Sequence, residues 1–422
     1  MNIGWIGLGK LGLPCSVAIA EKGHDIYGYD VNRAMIEVYK EGKTDLFEPD
    51  MDKRLIAVKK KMHFVNSVQS IVEHCDIIFV AVQTPHPPEL DGSVRHRHVR
   101  KDFDYSYLIN ACIEIGKALS QCDSMKHIAI VSTVLPGTVR QKIYPAMANT
   151  VGHENWRLYY NPSFIAMGET IENFTNPEFC LIGIDGNSAE ALVNFYNTIH
   201  SAPKIVMAWE EAEMVKMLYN TFIGLKIVFS NMVMQMCQKI GADCDVIMGA
   251  LLQAKRRLIS ERYLRPGMGD GGSCHPRDSL AMSLLSDSLG LSYNLFDEIM
   301  TIREKQTEWL ADLMCQYDLP KVILGKTYKP NTNLTAGSAS LLLSNILKER
   351  GIEVQFCDPV VGSYLLPNYP CAYLVATPWI EFRDIWFVKG SVVLDPWAII
   401  DPQDDIEVIP IGRMAYKGVV SI

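Results

Sequence analysis

The sequence predicts an α/β protein, two parallel-sheet domains joined by a long central helix and a helical middle domain. Three observations carry this. Short, continuous apolar runs alternate with helical segments early in the chain, as expected of strands buried on both faces. The same alternation returns after Thr301. Between the two, Glu211–Lys239 contains no proline and one glycine, Gly224. At roughly 150 residues per domain the 422-residue length suggests two or three domains. The expected bounds are 1–200, 201–300 and 301–422.

In chain order, residues 2–6 are strand-like and lead into Gly7-Leu8-Gly9-Lys10-Leu11-Gly12. Pro14 to Glu21 reads as helix, closed by Gly23, and Ile26 to Tyr29 is a second strand ending at Asp30. Strand, glycine turn, helix, strand and acid form the context of a dinucleotide-binding fingerprint. The first glycine permits the tight turn, the second lets backbone approach a pyrophosphate, and the third allows close helix–strand packing. Asp30 lies 18 residues beyond Gly12, where a carboxylate accepts from an adenosine ribose and repels a 2′-phosphate. NAD is therefore expected over NADP. Further strand-like runs are Cys75 to Val82, entering Thr84-Pro85, and His127 to Val131, entering Ser132-Thr133.

The basic segment Arg95–Lys101 reads as a solvated surface insertion, with phosphate steering as the alternative. His96 and His98 within it make a poor metal site, and no metal is expected. In Glu211–Lys239 apolar residues recur mostly at three- and four-residue spacing, which predicts one long helix. Lys216, Asn220, Lys226, Asn231 and Gln235 interrupt it too often for a membrane span. After Thr301, Lys321–Leu324 reads as strand, Ser338–Glu349 as helix capped by Gly351, and Ile352–Cys357 as strand ending at Asp358. Cys371–Pro378 echoes Cys75–Pro85, so a second α/β unit stands here without the glycine fingerprint.

Composition bounds the function. Forty basic against 48 acidic side chains give a net charge of −8, no electrostatic basis for binding nucleic acid or anionic membrane. Eleven scattered cysteines without a Cys-x-x-Cys pair argue against a disulfide framework or zinc site. The N-terminus lacks a charged region followed by a long apolar one, so a cytoplasmic protein is expected, with most cysteines in the core.

The densest chemical signal is Tyr263-Leu264-Arg265-Pro266-Gly267-Met268-Gly269-Asp270-Gly271-Gly272-Ser273-Cys274, followed by Asp278. Four glycines in positions 267–272 make a loop that a ligand can approach closely, with a cysteine at its end. A helix N-terminus or nearby cation would make that cysteine a nucleophile. One helical turn would set Asp278 beside it.

With these motifs the sequence resembles the NAD-dependent nucleotide-sugar 6-dehydrogenases, which act on UDP-glucose, GDP-mannose or UDP-N-acetylmannosamine. The separated motifs include the Gly7–Gly12 loop with Asp30, Thr84-Pro85 with Asp91-Gly92, and Ser132-Thr133-Val134 with Pro136-Gly137-Thr138. Asn161-Pro162 with Phe164 and Gly168, Glu213 with Lys216 and Asn220, and the Gly271–Cys274 loop follow. Tyr328-Lys329-Pro330-Asn331-Thr332 with Ser338, and Asp358-Pro359, complete the set.

The resemblance implies two Rossmann-like domains and a four-electron oxidation of a sugar primary alcohol to a uronate, with UDP-glucose as the default substrate. Cys274 matches the nucleophile that forms the thiohemiacetal and thioester. Lys216 and Asn220 match the oxyanion-stabilising pair, and Asp278 matches the carboxylate managing water and protons. Thr133 matches the threonine holding a water beside the nicotinamide. Gly7, Leu8, Gly9, Lys10, Leu11, Gly12, Asp30, Thr84 and Thr133 are the implied cofactor contacts. Phe164, Lys216, Tyr263, Gly267, Gly271, Tyr328 and Lys329 are the implied substrate contacts. A homodimer through the central helix is the family expectation.

The chain also departs from the family pattern. Ser163 and Met167 stand where the family has glutamates, the first of them a general acid/base in hydrolysis. Glu169 is adjacent but would need a different backbone path to substitute. Asn333, Leu334, Ala336 and Gly337 replace family acids, an arginine and a glutamate before Ser338, and that arginine normally helps hold the cofactor. Arg277 replaces a lysine, and Asp270 a phenylalanine. These changes suit an altered sugar, or an oxidation halted at aldehyde or thioester. A non-catalytic nucleotide-sugar-binding relative and a 2-hydroxyacid-type reductase are the competing classes. The retained Cys274, Lys216, Asn220 and Asp278 argue against the first, and the Gly271–Cys274 loop against the second.

Overall fold

The computed structural model describes residues 1–412 except 47, 86–101, 152–154, 167, 257, 261–266 and 270–274. For 224, 227, 228, 230, 231, 235, 238, 275, 277, 278 and 281 only the backbone is described. The chain forms two compact units, Met1–Gly224 and Leu225–Ile422.

The first unit opens with strand β1 (Asn2–Ile6), helix α1 (Gly12–Glu21) and strand β2 (Asp25–Tyr29). After α2 (Arg33–Lys40) and α3 (Met51–Ala57) come β3 (Met62–Phe64), α4 (Val68–His74) and β4 (Ile77–Val80). Next are α5 (Ser106–Leu119), β5 (Lys126–Ile130), α6 (Tyr144–Ala148), β6 (Trp156–Tyr160) and α7 (Thr170–Thr175). The unit's sheet closes with β7 (Cys180–Ile184), α8 (Glu190–Asn197) and β8 (Lys204–Ala208). Helix α9 (Trp209–Ile240) follows and carries the unit boundary.

The eight strands lie in the order β3-β2-β1-β4-β5-β6-β7-β8. All neighbours are parallel except β6 and β7. The first six strands follow the doubly wound dinucleotide-binding order, whose switch point falls between β1 and β4. The apolar runs divide between the two faces by the period-two rule. Ile77 and Phe79 join one core with Ile3, Trp5 and Leu13. Ile78 and Val80 join the other with Ile6, Ile128 and Ile130.

In the second unit, α10 (Cys244–Leu251), α11 (His275–Ser288) and α12 (Leu295–Cys315) precede a five-stranded sheet. Its strands are β9 (Lys321–Leu324), β10 (Val354–Cys357), β11 (Ala372–Val375), β12 (Val392–Asp395) and β13 (Glu407–Pro410). Helix α13 (Ala339–Glu349) lies between β9 and β10, with Ser338 as its N-cap. The order β10-β9-β11-β12-β13 is fully parallel. It is the other common doubly wound order, with its switch point between β9 and β11.

Among the described residues, ten cysteines are free thiols. Burial pushes Cys75, Cys112 and Cys180 up to about 12, which makes them inert core residues. No described helix is long and apolar enough to cross a membrane.

Candidate active site

At the carboxyl ends of β1 and β4 the chain must turn sharply over the sheet. Gly7 does so at φ +93°, and a Cβ there would lie 2.5 Å from the Ala81 carbonyl oxygen. A Cβ on Gly12 would lie 1.9 Å from the Gly7 oxygen, so the helix can start this close to the strand only without a side chain. Above Gly9 a Cβ would meet nothing within 4 Å, which leaves the space that a pyrophosphate needs beside the backbone. Asp30 ends β2 with its Oδ2 accepting from Leu8 N at 2.8 Å and its Oδ1 from Asn32 N at 2.8 Å. The carboxylate is thereby held against the glycine loop. These residues fit a dinucleotide.

On the other side of the switch point, Thr84 Oγ1 donates to the Thr133 carbonyl at 2.7 Å. Ser132 Oγ donates to the Val82 carbonyl. The loops after β4 and β5 are therefore bolted together. Leu135 N donates to Tyr105 Oη at 3.1 Å.

Helix α9 starts at the sheet's edge. Trp209 Nε1 donates to the Leu158 carbonyl at 3.2 Å, and Glu211 reaches back to accept from Ala208 N at 2.9 Å. The latter is one half of a capping box. One turn further, Lys216 is 8% exposed. Its Nζ donates to the Ser163 carbonyl at 2.7 Å and stands 4.9 Å from the centre of the Phe164 ring. Phe164 packs in turn on Phe179 and Tyr219. Burial holds the Lys216 ammonium below the usual lysine range. Asn220, a turn later, is exposed.

In the second unit, the turn after β9 is fixed by Asp358, which is 1% exposed. Its Oδ2 accepts from Lys326 N and Thr327 N, and its Oδ1 from Val360 N and Val361 N. Burial pushes this carboxyl up, but the four N–H donors prevail and hold it below the ordinary carboxylate range. Tyr328 and Lys329 follow directly, at the β9/β11 switch point. Gly325, at φ +95°, lets this turn pass Thr377, whose Cβ a side chain would approach to 2.4 Å. Gly267 lies against the Trp397 ring, which a Cβ there would meet at 2.3 Å.

Two family models match the chain. The NAD-binding domain of the UDP-glucose/GDP-mannose dehydrogenase family covers residues 1–200, and that family's central domain covers residues 210–305. The chain belongs to this family. GDP-mannose 6-dehydrogenase from Pseudomonas aeruginosa is 27% identical over 365 residues, 85% of this chain and 81% of that protein. UDP-glucose 6-dehydrogenase TuaD from Bacillus subtilis is also 27% identical, over 95% of this chain and 88% of that protein. The fold matches a crystal structure of GDP-mannose dehydrogenase from Pseudomonas aeruginosa at TM-score 0.87, with 22% identity, covering 97% of this chain and 99% of that one. The chain is thus a member of an NAD-dependent nucleotide-sugar dehydrogenase family, and NAD is its cofactor.

Of the residues singled out in the sequence, Gly7–Gly12, Asp30, Thr84 and Thr133 gather at the first switch point. Phe164, Lys216 and Asn220 lie on or against α9, and Tyr328 and Lys329 sit at the second switch point. Tyr263, Gly271 and Cys274 lie outside the described residues, as do Met167, Asp270 and the basic segment 95–101, and the Asp278 and Arg277 side chains are not described. Ser163 takes part through its backbone carbonyl, which sequence reasoning does not anticipate. The Glu213 contacts and the Trp397 cover over Gly267 also escape it. Glu213 carries a motif signal but no role, and Trp397 carries no signal at all.

Proposed function

We propose that the chain oxidises the primary alcohol of a nucleoside-diphosphate sugar to a carboxylate through a covalent intermediate on Cys274. Membership of the family supports the reaction class. The observation that carries the reading is the buried Lys216 ammonium, docked on the Ser163-Phe164 turn. A cation withdrawn from water is an effective partner for an oxyanion. NAD, when bound, supplies the hydride acceptor for both oxidation stages.

The chain's own groups divide the remaining work. The glycine loop and Asp30 hold the dinucleotide, and Thr84 fixes the Thr133 segment, where Thr133 orders a water. The Cys274 thiolate adds to the aldehyde carbon, forming a C–S bond while the carbonyl oxygen takes up negative charge. Lys216 and Asn220 stabilise that oxygen. At the thioester stage water displaces the thiolate, with Asp278 receiving a proton. Tyr263, Gly267, Gly271, Phe164, Tyr328 and Lys329 bind the nucleotide sugar. The protein acts in the cytoplasm as a homodimer through α9.

UDP-glucose is the default substrate and GDP-mannose the competing one, since relatives of both names match at equal identity. A second reading follows from Ser163, which stands where the family resemblance places a glutamate; the carbonyl that accepts from Lys216 is main-chain and supplies no acid/base group. Without that acid/base group, hydrolysis is slow and the thioester accumulates. Incubation with NAD and a panel of UDP-, GDP- and TDP-sugars, with products weighed by mass spectrometry, tests the proposal. A uronate from one of them is expected. A sugar bound without NADH formation across the panel would leave only a binding protein.

A further inference from the structure

Glu213 is completely buried, and its partners are backbone N–H groups. Oε2 accepts from Gly137 N at 2.6 Å and Oε1 from Val139 N at 2.7 Å. Burial pushes its carboxyl up, against the pull of these two donors. Taking a carboxylate out of water is costly, and a well-packed apolar side chain would fill the space at lower cost. What the carboxylate adds is geometry. Two short charge-assisted bonds at fixed positions tie residues 137–139 to one point on α9.

That point is one turn from Lys216 on the same continuous helix. The segment it ties is the continuation of the Thr133 loop. From Thr133 onward this loop is fastened by Thr84 on the Thr133 carbonyl, by Tyr105 Oη, which accepts from Leu135 N and Thr138 Oγ1, and by Glu213 on Gly137 N and Val139 N. The next turn of α9 fastens a second loop through Lys216 to Ser163. Neighbouring turns of one rigid helix thus set the loop after β5 against the loop after β6.

We propose that Glu213 is a positioning residue, which fixes the threonine that faces the nicotinamide in register with the lysine that faces the oxyanion. Nothing in its own contacts makes it a catalytic group. The inference rests on the dehydrogenase reading, whose separate test is turnover by the wild-type protein. If the wild type makes no NADH with any sugar, both fail. If it does, the variants below decide the role of Glu213 alone.

Glu213→Gln preserves size but turns an amide N–H₂ toward one of two N–H donors, so the loop must shift. A displacement of about 1 Å costs roughly 100-fold in a positioned reaction. We expect kcat to fall about 10- to 100-fold per active site, with the active fraction counted by stoichiometric NAD titration. The dissociation constant for NAD should stay within about threefold, because the glycine loop is untouched. With substrate deuterated at the oxidised carbon, the isotope effect on kcat should rise, since misplacement slows hydride transfer itself. Glu213→Asp, which keeps the charge but lacks the reach, should show the same split. A loss of activity that merely tracks the active fraction, with an unchanged isotope effect, would overturn the proposal. So would wild-type kcat in either variant, or failure of both to fold.

Discussion

Asp30 is marked by its spacing from Gly12 and Lys216 by the family resemblance, and they differ in what the fold then does to them. Asp30 stays half-buried and spends its oxygens on Leu8 N and Asn32 N, as its position after β2 implies. Lys216 is withdrawn from water almost completely, which its position near the start of a long apolar helix leaves open. Lys216→Met should lower kcat about 10²- to 10³-fold, the usual cost of an oxyanion donor, with NAD affinity measured by fluorescence within twofold. In its proposed role Lys216 acts when protonated, so the rate should fall as pH rises through its folded pKa. Burial sets that value below the ordinary ~10.4 of lysine. In Lys216→Arg the same basic limb should move upward, because the guanidinium stays charged. A limb unchanged by the substitution would assign it to another group. Glu213 marks the limit of legibility at this scale. Its partners are Gly137 and Val139, 76 and 74 residues upstream, and no local pattern announces such a contact.

At the scale of elements, apolar runs and glycine turns give β1, β2, β4, β5, β9, β10 and β11 and the long α9. Strands β6, β7 and β8 go unmarked. Arg157 interrupts β6, while β7 and β8 are short apolar runs, which periodicity alone does not assign to strand rather than to a buried helix segment. The two switch-point turns make sharp predictions. Gly7→Ala should cost about 2 kcal/mol or more in urea unfolding, from strain at positive φ, and should weaken NAD binding. Asp358→Asn should cost about 3 kcal/mol at neutral pH, by leaving N–H groups without their charged acceptor. The folded pKa of Asp358 lies below its unfolded value of about 3.9. Its contribution is therefore complete above that value and lost as pH falls through the folded pKa. The stability gap between wild type and variant should close on acidification, and a gap constant with pH would show that the charge is irrelevant.

For the molecule as a whole, the sequence carries the existence of two α/β units and the long helix, because each repeats its own period many times. Strand order is different: it is set by crossovers between residues far apart, and only the structure shows 3-2-1-4-5-6 in one unit and 2-1-3-4-5 in the other. Those orders put the Gly7–Gly12 loop and the Tyr328-Lys329 turn at the switch points of their respective sheets, where open α/β sheets bind ligands. The proposed function sets one reaction on this architecture, a two-stage oxidation through Cys274. Its most direct test counts NADH formed per nucleotide sugar consumed, beside the intact mass of the protein, for the wild type and Cys274→Ala. Two NADH per uronate are expected from the wild type, and no uronate from the variant. Uronate at undiminished yield from Cys274→Ala would contradict it.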